Sequence, residues 1–574
     1  YLKFDSYATA AALGTDSSGN SNTWTVNNIS VTAGVTYDAM QDTPTLTSLS
    51  AANYPTWNPL TAGGLVTFSE ANLKALSTSA AAPFNIESTI KTSTTGKWYA
   101  EVTVAVGASN PAVGIGNNPS TSNSNTDQWA AYRVNATYVT GGMGASSSGT
   151  PATYTTNDVI GIAYDVAAGT LVFYKNGTLQ AGGFTGITAG NYSFIVRKDS
   201  ASGDGGYLNC GQRPFSYTPP TGFNALNTFS LANPAIPNGA TQFAATTYAG
   251  TSATLAVSNL VNGTGFQPDF VWIKNRSVAA SNDLFDSVRG ATKSLISNNT
   301  NAELTDVNGL TAFNSNGFSV GSTASDNGSG NSLVAWQWKA GNSLSTNTNG
   351  SIASMVNAST SSGFSIVTYT GTGANATVGH GLSAVPSLII VKGRTTAGDP
   401  WAVYSSSLAN TQYLYLNTTA AVATGINLWN STTPTSSVFT IGAAQDTNRS
   451  AGGLVAYCFA PVAGYSAFGS YTGNGSADGP FVYLGFRPRF TLIKRTDAIA
   501  NWRIHDTARD TYNVASNTLY PNLSNAETSA ASEYWDILSN GIKLRTSDAE
   551  SNASGGTYIY MCFAENPFKY ALAR

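Results

Sequence analysis

The sequence has little charge. Asp, Glu, Lys and Arg make up 10% of it, and the formal net charge is -3. The basic residues are scattered and form no stripe, which argues against nucleic acid as a partner. No run of about eighteen apolar residues is present and no signal-peptide pattern opens the chain, so the sequence predicts neither membrane insertion nor Sec-type targeting. Because the chain starts at Tyr1 rather than at methionine, we expect further residues upstream.

Cysteine and histidine are also scarce. Cys210, Cys458 and Cys562 are three in number and none has a metal-ligand spacing, so no disulfide framework or metal site is predicted. We expect Cys458 and Cys562 to be buried strand thiols. A Ser-His-Asp triad would need His380 or His505, and neither lies near a G-x-S-x-G elbow. We interpret both histidines as structural, and the sequence assigns no catalytic, cofactor-binding or metal-ligating residue.

What the chain does have is glycine, small polar residues and aromatics. Gly numbers 57 and aromatic residues reach 11%. This composition favours short strands joined by tight polar turns, and the many aromatics argue against disorder. A chain of this length should divide into roughly three to five domains. The predicted fold is therefore all-β, a multidomain chain of antiparallel β-sandwich modules of the jelly-roll or concanavalin-like kind.

One set of motifs recurs three times in the second half. Copy 1 reads QFAATTYAG, GFQPDFVWIKNR, LFDSVRG, NGFSV and LVAWQWKAG. Copy 2 reads FSIVTYTGTG, LSAVPSLIIVKGR, PWAVYSS, SVFTIG and LVAYCFAP, and copy 3 reads FGSYTGNG, LGFRPRFTLIKR, NWRIHDTARD, NGIKL and YIYMCFAE. Shared order and nearly equal spacing predict one β-domain of about 100 residues used three times, each copy with its own core.

The repeat also suggests structural roles for its conspicuous residues. Phe285, Trp401 and Trp502 align as one aromatic position, which we interpret as a core anchor rather than a sugar platform. Copies 1 and 3 each carry an Asp and an Arg three residues apart, where copy 2 has Tyr404 and Ser407; we expect a structural ion pair. The Asp- and Gly-rich segments 199–206 and 326–331 lack the ligand pattern of a calcium loop, so we interpret them as turns.

Residues from about 85 to 217 form a different unit. Its strands include KWYAEVTV and DVIGIAYDVAAGTLVFYKNG, and the Asn-Gly pair at 176–177 predicts a tight hairpin. At these residues the chain resembles the SPRY domain family, with its K-x-Y-x-E strand, its D-x-I-G strand and its K-N-G turn. The resemblance implies a bent two-sheet sandwich that recognises partners through its loops and has no catalytic machinery.

The opening residues resemble the end of a laminin-G or concanavalin-like sandwich, and the repeated blocks are similar to a domain of unknown function from tail-fibre and structural proteins of marine phages. The domains we predict are a laminin-G-like or connecting segment at 1–50, a SPRY-like sandwich at 51–225, linkers at 226–240 and 346–362, and β-repeats at 241–345, 363–463 and 464–574.

The function expected from these resemblances is that of a non-enzymatic virion surface protein. We predict a phage tail fibre or adhesin that binds a host-surface glycan or protein through loops of its β-modules. The alternatives are a decoration protein or self-assembling filament subunit, and thirdly a polysaccharide-degrading enzyme whose paired carboxylates would meet only in the fold. Expected partners are the host-cell surface, other virion proteins and further copies of the chain in a trimer, with no cofactor, nucleic acid or membrane insertion. The expected location is the virion or the extracellular space.

Overall fold

The structure is a computed structural model of the chain. It describes residues 8–32, 37–39, 52–61, 65–78, 84–106, 111–117, 128–198, 203–341, 343–530, 533–567 and 569. The chain divides into two compact units, Tyr1–Ala232 (unit 1) and Asn233–Arg574 (unit 2). In the parts of the chain just given, no helix has the length and apolar character needed to cross a membrane.

Unit 1 is built almost entirely of strands. They are β1 (Val66–Ser69), β2 (Lys74–Ser77), β3 (Phe84–Glu87), β4 (Lys97–Val106), β5 (Ala112–Asn117), β6 (Gln128–Arg133), β7 (Thr137–Gly141), β8 (Ser146–Ser148), β9 (Val159–Asp165), β10 (Thr170–Lys175), β11 (Thr178–Leu179), β12 (Gly183–Thr185), β13 (Ser193–Lys198), β14 (Gly205–Asn209) and β15 (Asn224–Ala225). One short helix, α1 (Ala10–Leu13), precedes them. The opening letters YLKFD of the laminin-G resemblance lie outside the described residues.

The strands of unit 1 form two sheets in its described part. One has the order β1-β2-β14-β4-β9-β10-β12-β8, and the other has the order β3-β13-β5-β6-β7. Aromatic side chains join the two sheets: the rings of Tyr132 on β6 and Phe173 on β10 lie 5.5 Å apart. Strands β10 and β11 form the predicted hairpin, in which Asn176 and Gly177 take the positive φ values of 48° and 78° that a tight turn requires.

Unit 2 contains the remaining strands. They are β16 (Phe243–Ala249), β17 (Leu255–Ser258), β18 (Phe270–Asn275), β19 (Asn282–Asp286), β20 (Lys293–Ile296), β21 (Leu304–Thr305), β22 (Leu310–Asn314), β23 (Gly317–Val320), β24 (Ser332–Trp338), β25 (Ser345–Asn347), β26 (Ser354–Ser359), β27 (Phe364–Thr370), β28 (Ala376–Gly379), β29 (Leu388–Gly393), β30 (Ala402–Ser405), β31 (Gln412–Tyr415), β32 (Ala423–Thr424), β33 (Val438–Ile441), β34 (Gly453–Phe459), β35 (Ser466–Thr472), β36 (Phe481–Tyr483), β37 (Phe486–Arg495), β38 (Trp502–Asp506), β39 (Asn517–Thr518), β40 (Thr528–Ser529), β41 (Trp535–Leu538), β42 (Gly541–Leu544) and β43 (Thr557–Pro567). Four one-turn helices accompany them: α2 (Ala324–Asn327), α3 (Ile426–Trp429), α4 (Gln445–Asn448) and α5 (Ala549–Asn552).

Each sequence copy supplies an inner and an outer sheet. The inner sheets contain the same run of four paired strands: β16-β24-β18-β19, β27-β34-β29-β30 and β35-β43-β37-β38. The outer sheets are β17-β23-β22, β28-β33 and β36-β42-β41. Within copy 1, side chains such as Val271 and Ile273 pack towards the outer sheet, whereas Phe270 and Trp272 face the other way. This alternation is the ordinary two-faced geometry of a strand.

Each inner sheet has one face towards its own outer sheet. Its opposite face packs against the other two copies. One cluster of buried side chains contains residues from all three inner sheets, including Trp336, Tyr457 and Met561. At its centre the rings of Trp338, Phe459 and Phe563, one from each copy, lie 5.7 to 6.5 Å apart. The three copies therefore surround one shared core in a pseudo-threefold arrangement, and we call the line that passes between these three rings the pseudo-threefold axis.

The all-β, multidomain sandwich architecture predicted from the sequence is confirmed, and two finer predictions are corrected. The copies are not independent domains, because one cluster of buried side chains spans all three, although copies 1 and 2 also enclose clusters of their own between inner and outer sheet. Residues 346–362 are not a linker, since β25 and β26 add two strands to the edge of β27. The boundary between the two units falls inside the predicted linker 226–240.

Candidate functional site

Six loop segments meet at one end of unit 2. Three are the hairpin loops 276–281, 394–400 and 496–501, which follow β18, β29 and β37. Three are the turns 297–303, 416–422 and 520–527, which lie beside the neighbouring hairpin loop. We call these six segments the tip face.

Three buried lysines hold the tip face together. Each stands at the same place in its inner sheet and donates from Nζ to a carbonyl of its own hairpin loop and to one in the turn of another copy. The accepting oxygens are those of Ala280 and Ser524 for Lys274, Asp399 and Thr300 for Lys392, and Ala500 and Thr419 for Lys494, at 2.5 to 3.3 Å. Burial lowers the pKa of each lysine to about 8.

Backbone hydrogen bonds close the ring of segments. Ala280 N donates to Ser524 O, Gly398 N to Thr300 O, and Ala500 N to Thr419 O. In the opposite direction, three turn amides donate to the neighbouring loop: Glu527 N to Arg276 O, Glu303 N to Arg394 O, and Val422 N to Thr496 O. Copy 1 is thus joined to copy 3, copy 3 to copy 2 and copy 2 to copy 1. A ring tied this way presents its loops on a fixed framework.

The surface of the tip face is mainly neutral and polar. Ala, Asn, Thr and Ser make up most of the six segments, and the exposed larger apolar side chains among them include Val278 and Ile499, at 44% and 77% exposure. Hydroxyl and amide groups can both donate and accept hydrogen bonds. Such a surface suits a neutral polar ligand better than a strongly charged one.

Below the tip face each copy contacts the next at what we call a junction, and unit 2 has three of these. Two of the three junctions carry a largely buried Arg-Glu-Arg triad. Glu303 contacts Arg289 and Arg394 at 3.1 and 2.9 Å. Glu527 contacts Arg509 and Arg276 at 2.9 and 2.7 Å. The positive charges of its two arginines keep the pKa of Glu303 low despite burial, which acts in the opposite direction. These charges pair with one another, so they serve the junctions rather than a ligand.

The predicted Asp-Arg pairs belong to these triads. Arg289 binds Asp286, and Arg509 binds Asp506, as expected for structural ion pairs. The alignment of copy 2 is corrected, because strand register places Ser405 opposite Leu388 where Asp286 stands opposite Phe270. The third junction therefore has Ser405 and Leu408 in place of an Asp and an Arg.

The conspicuous aromatics are core residues, as predicted, but their alignment also differs. Trp401 and Trp502 are 0% and 2% exposed and belong to the shared core. Their indole N–H groups donate to Ile296 O and Tyr415 O of another copy, both at 3.0 Å. By register they correspond to Asn282, not to Phe285, because Asn282 lies opposite Lys274 as Trp502 lies opposite Lys494.

Both histidines are buried and have structural partners. His380 accepts from Leu382 N at Nδ1 and its Nε2 lies 3.1 Å from Thr435 O. His505 contacts Thr518 Oγ1 through Nε2, and its ring lies 3.9 Å from that of Trp535. Burial lowers the pKa of both imidazoles. Both imidazoles thus lie in the interior among groups of the protein itself.

The three cysteines are free and buried, as predicted for the two in the repeats. Burial raises the pKa of each thiol. A buried thiol with a raised pKa carries little thiolate and reacts slowly.

The Asp- and Gly-rich segments do not form a metal site in the described residues, which contain no group of three or more His, Cys, Asp or Glu side chains suited to a metal ion. In segment 326–331, Asp326 is buried in α2, and Asn327 donates to Gly321 O and Ala253 O. Segment 199–206 lies partly outside the described residues; of its remainder, Asp204 is buried and Gly205 begins β14.

The tip lysines were missed by sequence reasoning, although a signal was present. In each copy a single lysine follows a largely apolar stretch of strand, in VWIKN, IIVKG and TLIKR. Burying an ammonium is costly unless it is hydrogen-bonded. A lysine at the same place in three buried strands therefore indicates the same hydrogen-bonding role in each copy.

Two family models match the chain. The model described as a domain of unknown function (DUF7483) matches residues 238–567, and that of the SPRY domain matches residues 97–200. No curated protein matches it.

Similar solved structures are SPRY domains. The SPRY domain of human HERC1 is 18% identical, with 24% of this chain and 80% of that one covered and a TM-score of 0.17. The TRIM65 PSpry domain is 16% identical, with 27% and 92% covered and a TM-score of 0.19. A human SPRY domain is 12% identical, with 25% and 94% covered and a TM-score of 0.19.

Proposed function

The chain belongs to the family of the domain of unknown function DUF7483, and from this premise we propose that it is a non-enzymatic virion surface protein. In this proposal it is a phage tail fibre or adhesin that binds a host-surface glycan or protein. Its other partners are further virion proteins and two more copies of the chain in a trimer. The triplicated β-domain would form the scaffold that presents the binding loops.

The observation that carries the proposal is the tip face. Its loops are fixed by three buried lysines and six backbone hydrogen bonds between copies. Because such loops lose little conformational freedom on binding, they can give useful affinity from neutral hydrogen bonds and a few apolar contacts. The polar, weakly charged surface favours a glycan over a nucleic acid or a highly charged protein.

The buried carboxylates and histidines support the non-enzymatic part of the proposal. Asp283 and Asp326 both lie in the interior of copy 1, where a polysaccharide could not reach them. His380 and His505 are likewise buried and bonded to structural partners. A general base has to lie within hydrogen-bonding reach of the proton that it removes from a substrate.

The test is binding of the full chain to an array of bacterial surface polysaccharides. We expect at least one polysaccharide to bind, and Ile499→Glu and Thr396→Glu to weaken that binding by roughly tenfold or more, about 1.4 kcal/mol. Both positions are exposed on the tip face, so the substitutions should leave the fold intact.

The matched control is Leu260→Glu. Leu260 is 52% exposed, and it follows Asn259, which bonds Gln337 at the opposite end of β24 from the tip face. Its substitution should leave binding unchanged. Equal binding by the tip variants and the parent would contradict the tip face as the binding site. Release of oligosaccharides from the array by the parent would favour the enzymatic alternative.

A further inference from the structure

A lysine and an asparagine meet at one place in unit 1, within the electrostatic reach of a buried glutamate. Lys91 lies in the bend that follows β3, and its Nζ donates a hydrogen bond to Oδ1 of Asn117, the last residue of β5. Glu87, the last residue of β3, is 2% exposed, and its charge acts on Lys91. Because Oδ1 is bonded directly to Cγ, the lysine amine lies beside the carbon atom of a carboxamide.

The backbone on both sides of this contact is fixed. Ser88 N donates to Phe194 O, and Thr92 N donates to Tyr192 O, so the bend carrying Lys91 is bonded to β13 and the residue before it. On the other side, β13 pairs with β5, with Ser193 opposite Gly116. Amine and carboxamide are therefore held together by three adjoining segments. Because folding has already brought the two groups together, their reaction does not have to include the entropy cost of bringing two separate reactants into contact.

The surroundings also favour a reactive amine. Lys91 as a whole is half-buried, but its amine lies deep enough that burial lowers its pKa, an effect that the negative charge of Glu87 partly opposes. Desolvation of this kind is how lysines become nucleophiles in proteins, since only the neutral amine has a free electron pair.

We propose that Lys91 and Asn117 form an intramolecular isopeptide bond, with Glu87 as the group that transfers the proton. In the first step the electron pair of the neutral Nζ attacks Cγ of Asn117 and forms a tetrahedral centre. Glu87 accepts a proton from Nζ and passes it to Nδ2. The bond between Cγ and Nδ2 then breaks, and Nδ2 leaves as ammonia.

The reaction is balanced without any further reagent. One C–N bond forms and one breaks, no atom is oxidised or reduced, and Glu87 ends in the ionisation state in which it began. The products are an Nζ–Cγ amide and one ammonia molecule. The amide nitrogen that replaces the amine no longer binds a proton, so no ammonium has to be held in this place. The new bond covalently joins the segment that follows β3 to the last residue of β5.

The measurement is the intact mass of the denatured full chain. We expect it to fall below the mass given by the sequence by one ammonia, about 17 Da. Proteolysis should release the peptides around Lys91 and Asn117 as one branched species. A parent chain that keeps the full sequence mass after prolonged incubation at neutral pH would overturn the proposal.

Three variants assign the bond to its residues. Lys91→Arg and Asn117→Ala should both retain the full sequence mass, and Glu87→Gln should retain it although both reacting groups are present. The matched control is Lys175→Arg. Lys175 also lies beside a carboxylate, with its Nζ 3.3 Å from Asp158, but its Nζ donates to a backbone carbonyl, that of Thr153, rather than to a carboxamide. This control should lose ammonia as the parent does.

Each contrary result has a definite meaning. A mass deficit in Lys91→Arg or in Asn117→Ala would show that another pair reacts and would overturn the assignment. A deficit in Glu87→Gln at the parental rate would overturn the role of Glu87. Because these masses are read on denatured protein, each variant is first checked for native circular dichroism, and a folded variant without the deficit supports the assignment.

Discussion

Asp326 shows how the three copies differ at the scale of single residues. It occupies the third position of α2, where the equivalent helices α4 and α5 have Thr447 and Ser551, and all three are buried. Burial raises the pKa of Asp326 well above its usual value, and the nearby charge of Asp283 raises it further. One carboxylate oxygen of each aspartate has no hydrogen-bond donor in the described residues. Copy 1 thus contains a destabilising carboxyl pair that the other copies avoid.

We predict that Asp326→Asn stabilises unit 2 at pH 7 by about 1–3 kcal/mol, because the amide keeps the shape of the side chain, carries no charge and can donate to Asp283. The folded-state pKa lies above the unfolded value of 3.8, so the parent loses stability as the pH rises beyond about 4. The gain from the substitution should grow from pH 4 to pH 7 and vanish below pH 4. Chemical denaturation at several pH values measures it.

The matched control for this prediction is Asp269→Asn. Asp269 is also a buried aspartate, but it accepts hydrogen bonds from Ser287, Ala340 and Asn357, each at 2.8 Å. Its substitution should destabilise unit 2, because an amide cannot accept all three in the same way. Equal effects of the two substitutions would contradict the argument.

At the scale of the elements, the sequence predicted strands and hairpins well. The hairpin of β10 and β11, the all-β class and the order of motifs in the copies all follow from local patterns of apolar residues, glycine and turn pairs. The shared core could not be predicted in this way, because a repeated aromatic residue gives the same sequence pattern whether each domain stands alone or three domains pack together.

A signal for the shared core was nevertheless present in the last strand of each copy. LVAWQW, LVAYCF and YIYMCF are nearly continuous apolar runs, without the alternation expected of a strand with one face in water. A strand that is apolar on both faces has to be covered on both. One face is covered by the outer sheet of its own copy, so the other requires a partner that sequence patterns do not identify.

The junctions between copies offer a test at this scale. We predict that Glu303→Val destabilises unit 2 by about 1.5–3 kcal/mol, because Arg289 keeps Asp286 but loses its second carboxylate, and Arg394 loses its carboxylate partner. The third junction tolerates valine at the corresponding position 422, where the neighbours are Ser405, Leu408 and Thr496 and the apolar side chains pack against the shared core. Thermal unfolding of the purified full chain measures the loss.

Transplanting the third junction should restore stability. The variant that combines Asp286→Ser, Arg289→Leu and Arg394→Thr with Glu303→Val should recover most of the loss, because replacing a whole buried ion network by apolar residues is often neutral or stabilising. If the single and the combined variants are equally unstable, the two kinds of junction are not equivalent.

At the scale of the whole molecule, the two units have separate cores, whereas the three copies in unit 2 share one in addition to the clusters that copies 1 and 2 enclose by themselves. None of the described residues of unit 1 belongs to the shared cluster, which begins at Ile236. Domains with separate cores unfold separately, whereas elements that share one core unfold together. We therefore expect two thermal transitions in the full chain, one for each unit.

Removal of copy 3 tests this directly. We predict that a chain ending at residue 463 loses the transition of unit 2 completely, because the deletion takes away Phe490, Phe563 and the other residues through which copies 1 and 2 meet at the pseudo-threefold axis. The transition of unit 1 should remain at its parental temperature. Near-ultraviolet circular dichroism and dye binding would report the loss of packing in residues 233–463.

A milder test is Phe563→Ala in the full chain, which should lower the free energy of unfolding of unit 2 by about 3–5 kcal/mol and lower only the transition temperature of unit 2. A cooperative transition retained by copies 1 and 2 alone would mean that each has a sufficient core of its own, as the sequence first suggested.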